Sequence, residues 1–173
     1  IVFLRPLGLR LGTYVTTPRV TDEYASVHLQ MKIAGAPRDT KVTVDTDILD
    51  PSGAVVATDK STYVSRGQEF GQNFLVPAPK LWNLDNPELY TAVTRLSVDG
   101  KEVDSYKTRF GIRTIEYIPE KGFYLNGKLT KFRGVCNHHD LGPLGAAVNR
   151  SALRHQIELL KDMEVGPSGL RKT

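Results

Sequence analysis

Val27-His28-Leu29-Gln30-Met31-Lys32-Ile33 alternates apolar and polar side chains without a break. An extended backbone turns successive side chains to opposite faces, so this period of two predicts a strand with one face buried. Val42, Val44, Thr46 and Ile48 repeat the pattern against Thr43, Asp45 and Asp47. Turn signals fall between such runs: Asp50-Pro51-Ser52-Gly53, Ser65-Arg66-Gly67 and Asp99-Gly100. Asp-Gly tolerates the positive φ angles of a tight hairpin turn, and Leu96, Val98 and Val103 flank it. Together these signals predict strands at 12–17, 24–34, 41–49, 55–63, 68–76, 89–98 and 102–110. Many short strands with frequent turns point to a two-sheet sandwich of the immunoglobulin kind. Trp82 lies in the loop-like Lys80-Leu81-Trp82-Asn83-Leu84-Asp85-Asn86-Pro87 rather than on a central strand. The expectation is therefore an immunoglobulin-like architecture, not an antibody domain.

Composition agrees with a packed core. Of 173 residues, 40% are hydrophobic and 24% charged, as in ordinary globular proteins. The net charge of +4 is spread along the chain, without a basic stripe or stacking platform, so no nucleic-acid partner is expected. Cys136 is the only cysteine, which excludes an internal disulfide and leaves the compartment open. No apolar run reaches the roughly 18 residues of a membrane span, so none is expected. Ile1 to Leu7 is apolar, but without a basic leader or a small-residue cleavage site it does not read as a signal peptide. It begins abruptly, as a strand would in a chain cut from a longer one.

The texture changes after Arg113. Ile112 to Tyr117 is a further candidate strand, and Asn126-Gly127 is a second hairpin signal within Phe123 to Lys128. Lys131 to Val135 reads as a short strand, and Leu141 to Ala146 as a Gly-rich loop. A helix follows at about 150–164, with Leu153, Ile157, Leu160 and Met163 on one face. Asn149 is placed to cap it, and Gly166-Pro167 to stop it. Strand, loop and helix make the repeat of a parallel α/β fold, but one repeat cannot bury both faces of a sheet. The alternatives are a sandwich with a helical extension, or a sandwich followed by the first piece of a truncated barrel.

Arg133 to Pro143 gathers the residues that carry chemistry: Cys136, Asn137, His138, His139 and Asp140. Three readings stay open. Cys136 and His138 share a strand face and, with Asp140, resemble part of a zinc site, but no second ligand pair accompanies them. Asn, His and Asp also satisfy the backbone of tight loops without any further role. Finally, His and Asp side chains are suited to the hydroxyls of a sugar when they converge on a concave surface. Cys136 beside His138 has no oxyanion-hole motif to make it a nucleophile, and no GxSxG or phosphate loop is present.

Phe123-Tyr124-Leu125-Asn126-Gly127-Lys128, followed by Lys131-Phe132-Arg133-Gly134-Val135-Cys136-Asn137-His138-His139-Asp140, resembles the opening of the catalytic barrel in family 2 glycoside hydrolases. Leu141-Gly142-Pro143-Leu144-Gly145-Ala146-Ala147 resembles its β-galactosidase branch. Leu81 to Tyr90 and Phe110-Gly111-Ile112-Arg113 are similar to the last stretches of that family's immunoglobulin-like domain, and Gly12 to Pro18 to its first strand. The matching segments run in order from about 12 to 163. Leu4 to Leu11 and Glu164 to Thr173 depart from the pattern, with Val165 alone fitting in the tail.

The resemblance implies an immunoglobulin-like β-sandwich at 1–113, then at 114–173 a truncated first strand-loop-helix unit of a (β/α)8 barrel. It implies a parent that is a retaining enzyme cleaving terminal β-galactosides, with two carboxylates as nucleophile and acid/base. Family acid/base glutamates follow an asparagine, and no Asn-Glu pair occurs here, so no catalytic residue is assigned to this chain. By the same match His138 and Asp140 contact substrate hydroxyls, with Asn137 and His139 in support. No metal or other cofactor is expected within the chain. The alternatives are a non-catalytic carbohydrate-binding module or a protein-interaction module. In the latter, Leu153, Ile157 and Leu160 dock a second copy or the missing domains of the parent.

Overall fold

The computed structural model describes residues 3–5, 13–66, 69–131, 142, 145–147 and 149–162. The chain divides into two compact units, Ile1–Arg113 and Thr114–Thr173. In the first unit β1 (Phe3–Arg5), β2 (Tyr14–Val20), β3 (Tyr24–Ala34) and β6 (Glu69–Pro77) form one sheet. There β6 runs along one edge of β3, while β2 and then β1 occupy the other. The second sheet has the order β5 (Val55–Val64), β4 (Lys41–Leu49), β7 (Tyr90–Val98), β8 (Lys101–Phe110). All pairings are antiparallel. The chain changes sheets between β3 and β4, between β5 and β6, and between β6 and β7. This is an immunoglobulin-like β-sandwich. In antibody constant-type sandwiches the fourth strand joins the first sheet; here β5 pairs with β4 instead.

Alternation sets which side chains fill the sandwich. In β3, Ala25, Val27, Leu29, Met31 and Ile33 are buried while every intervening residue is half-exposed. They meet Val42, Val44 and Ile48 of β4, Phe70, Phe74 and Val76 of β6, and Tyr90, Ala92 and Leu96 of β7. Each large aliphatic side chain so buried contributes about 1.5–3 kcal/mol of transfer free energy. The edge strands β5 and β8 bury no residue fully.

One layer of this core is polar. Gln72 points inward from β6 and is 2% exposed. Thr46 Oγ1 donates to Gln72 Oε1 (2.7 Å) and lies 3.3 Å from Thr94 Oγ1 on the neighbouring strand. The Gln72 amide donates to Asp59 Oδ2 (2.7 Å) and to the Val44 carbonyl (3.2 Å). A buried amide costs stability unless each group finds a partner, and among the described residues no buried side-chain polar atom lacks one.

The same contacts close one side of the sandwich. Asp59 belongs to β5, where the Tyr63 hydroxyl also donates to the Gly71 carbonyl of β6 (2.9 Å). The Tyr63 ring packs on Phe70 with centroids 4.5 Å apart. On the opposite side the Thr13 and Thr108 hydroxyls share a hydrogen bond that ties the start of β2 to β8.

The loop from β6 to β7 is locked by its own polar groups. Asn83 Oδ1 accepts from the amides of Asp85 (3.0 Å) and Asn86 (2.7 Å), and the Lys80 amide donates to the Tyr90 hydroxyl (2.8 Å). The Trp82 amide donates to the Ile112 carbonyl (2.8 Å), and the Arg113 guanidinium lies 5.1 Å from the Trp82 ring centroid. Gly111 is required here for space, since a Cβ at that position would stand 2.8 Å from Trp82 Cβ.

The solvent face of the second sheet carries an ion-pair cluster. Arg95 Nη2 donates to Asp47 Oδ2 (2.6 Å) and Nη1 to Asp45 Oδ1 (3.3 Å). The Arg95 hydrogen bond holds the Asp47 carboxyl below its ordinary 3.8, against partial desolvation and with help from Thr58.

In the second unit β9 (Ile115–Ile118), β10 (Gly122–Leu125) and β11 (Lys128–Leu129) form an antiparallel meander. The helix α1 (Arg150–Asp162) is the one helix among the described residues, and no described helix is long and apolar enough to cross a membrane. Asn149 Oδ1 accepts from the Ala152 amide (2.8 Å), the cap expected from sequence.

Several elements differ from the sequence expectation. The first sandwich strand runs through Pro18 to Val20, because a register shift between Thr16 and Arg19 accommodates a residue with no amide proton. The short β1 has no alternation to announce it. Ile112 is not on a strand but fully buried in the sandwich core, and the strand begins only at Ile115. The strand expected at 131–135 lies outside the described residues from Phe132 onward, as does the helix end from Met163.

Three outcomes are expected. Gln72→Ala lowers the urea unfolding free energy by about 2–4 kcal/mol, because it strands buried partners on two strands. Gln72→Leu with Thr46→Val recovers part of that loss; a single-variant loss below about 0.5 kcal/mol would show that the polar layer is not a tie. Gly111→Ala destabilises by about 1–3 kcal/mol through overpacking. Gly71→Ala costs less, since the atom met there is the end of the His28 ring, at 2.9 Å. Equal losses at the two glycines would contradict the steric account. Asp47 has a depressed folded pKa, so its pairing stabilises above the ordinary value and is lost as pH falls through the folded one. The deficit of Asp47→Asn in urea midpoint is therefore present at about pH 7 and shrinks by about pH 3; a deficit that grows on acidification would refute the assignment.

Candidate functional site

The segment singled out by sequence is approached through the β9–β11 meander. Asn126 and Gly127 adopt φ of 50° and 72°, the left-handed pair that a two-residue hairpin turn needs. The turn is clasped from Thr114: the Asn126 amide donates to the Thr114 carbonyl, and the Thr114 amide donates to Asn126 Oδ1, both at 3.0 Å. After the turn the Thr130 amide donates to the Phe123 carbonyl (2.8 Å), which carries the chain to Lys131. Further on, the Gly142 carbonyl accepts from the Gly145 amide (2.9 Å). Both glycines have positive φ, of 60° and 54°. The helix cap at Asn149 then opens α1.

Asn137, His138, His139 and Asp140, the four residues expected to line a sugar site, all lie outside the described residues, as does Cys136 of the zinc reading. What the structure describes is their frame within the second unit, a clasped hairpin before them and a tight turn and capped helix after them. Among the described residues no three His, Cys, Asp or Glu side chains gather as a metal site. Glu116, Glu120, Glu158 and Asp162, the described carboxylates of this unit, are all exposed. Glu158 is engaged by Arg154 one helical turn away (3.2 Å).

The first unit holds a feature that sequence reading missed. A depression of about 420 Å³ opens at one end of the sandwich, lined by Lys32, Ala36, Arg38, Ser65 and Arg66 among others. Arg66 Nε donates to Asp39 Oδ1 (2.9 Å), so part of this charge is already compensated. Among the described residues that line it there is no carboxylate. Its walls come from the end of β3 and the residues after it together with Ser65 and Arg66 after β5, so no local pattern announces it.

Comparison with known proteins places the chain. The sequence profile of Glycosyl hydrolases family 2 matches residues 9–113. A β-galactosidase of Bacteroides ovatus is 42% identical over 164 residues, covering 92% of this chain and 19% of that protein. A solved family 2 member from Bacteroides cellulosilyticus superposes with a TM-score of 0.83 at 39% identity, over 93% of this chain and 21% of its own. A Bacteroides uniformis β-glucuronidase gives a TM-score of 0.81 at 26% identity, over 94% and 20%. The chain thus spans about a fifth of the length of these relatives. With the profile running through the sandwich up to Arg113 and similarity continuing through most of the second unit, the chain belongs to glycosyl hydrolase family 2.

Proposed function

We propose that this chain supplies the immunoglobulin-like spacer and the first strand-loop-helix unit of the catalytic barrel in a retaining β-galactosidase-like enzyme that cleaves terminal β-galactosides. The observation that carries this reading is the 42% identity to a β-galactosidase over 92% of the chain, which extends well past the sandwich. The other relatives include both activities, a putative β-glucuronidase of Formosa agariphila at 36% and a β-galactosidase of Thermoanaerobacter pseudethanolicus at 26%, so the choice of a galactoside rests on the 42% match alone.

The two units take different parts in this proposal. The sandwich, cross-tied through Gln72 and closed on both sides, is a rigid spacer that sets where the barrel stands. The proposal assigns the polar groups of the 131–141 segment to the carboxyl end of a barrel strand, the end at which barrel enzymes hold their ligands. Asp140 accepts hydrogen bonds from sugar hydroxyls, and His138 donates to or accepts from them according to its tautomer. Asn137 and His139 support these two. Nucleophile and acid/base are carboxylates supplied by later parts of the parent, where two carboxyl groups about 5–5.5 Å apart carry the retaining double displacement. This chain holds and orients sugar but performs neither step.

Leu153 and Ile157 support the further proposal of a packing surface on α1, since they are 40% and 44% exposed. Leu160, on the same face, is only partly exposed. The surface is covered by the remaining parent or by a second copy.

Three measurements test this reading. The chain alone is expected to give no hydrolysis of a chromogenic aryl β-galactoside at high protein concentration. Turnover that disappears in Asp140→Ala would overturn the assignment of catalysis elsewhere, whereas equal turnover in both proteins identifies a contaminant. Saturation-transfer NMR with galactose is expected to report weak binding, roughly millimolar or weaker, reduced in His138→Ala and Asp140→Ala; unchanged binding in both variants would remove these residues from the sugar site. Sedimentation velocity is expected to show concentration-dependent self-association that Ile157→Lys abolishes, and a clean monomer at high concentration would eliminate the second copy as the occupant of the helix face.

A further inference from the structure

No further inference is drawn: the strongest candidate, the apolar face of the β9–β10 hairpin where Ile115 and Tyr117 stand exposed beside Phe123, carries nothing because nothing in the structure shows what covers it.

Discussion

The Gln72 side chain is the constraint on which the sandwich depends. An amide placed in an apolar layer is costly until its oxygen and both protons are matched. Here the matching groups come from three other places: the Thr46 hydroxyl, the Val44 carbonyl and the Asp59 carboxylate. They lie on β4 and β5, in the opposite sheet. A slip of β6 by one residue would turn Gln72 to solvent and Asn73 inward, against partners that no longer fit. Aliphatic contacts tolerate such sliding far better. The polar layer therefore fixes register in a core that burial alone would leave less determined.

Closure of the sandwich follows from the same set of contacts. A sandwich has two open sides, and each must be joined without backbone hydrogen bonds between the sheets. On one side Asp59 and Tyr63 reach from β5 to β6; on the other, two threonine hydroxyls meet. The Tyr63 hydroxyl also occupies a carbonyl on the outer edge of β6, which leaves that strand less able to pair with another chain. At the exit of the domain, Trp82 fills the space that Gly111 leaves empty, while Ile112 enters the core beside it. The last residues of the sandwich are thereby tied into its core.

Much of this fold was legible because its local signals and its packing agree. The alternation of β3 and β4 names their buried faces residue by residue, and the Asp99-Gly100 and Asn126-Gly127 turns have the positive φ values their sequences favour. Asn149 caps the helix it was expected to cap. What escaped notice depends on distant partners. Gln72 reads as an ordinary polar residue until Thr46 and Asp59 are brought to it, and Ile112 reads as strand until the Trp82 loop folds over it. Pairing of β5 with β4 instead of β6 is likewise a choice between sheets that no local pattern records. The proposed sugar-contacting residues were legible in a weaker sense. His138 and Asp140 were selected by family resemblance, since on chemistry alone such polar residues read first as satisfying a loop backbone, and a zinc reading lacks its second ligand pair. Only the frame on either side of them is described by the structure.

Trp82 is the only tryptophan in the chain. Its backbone bond to Ile112, its contact with the Gly111 position and its stacking under Arg113 all lie within the first unit. The protein thus carries a native fluorophore at the corner where the sandwich ends. Its emission follows the opening of that corner, and no label has to be introduced to watch the sandwich unfold.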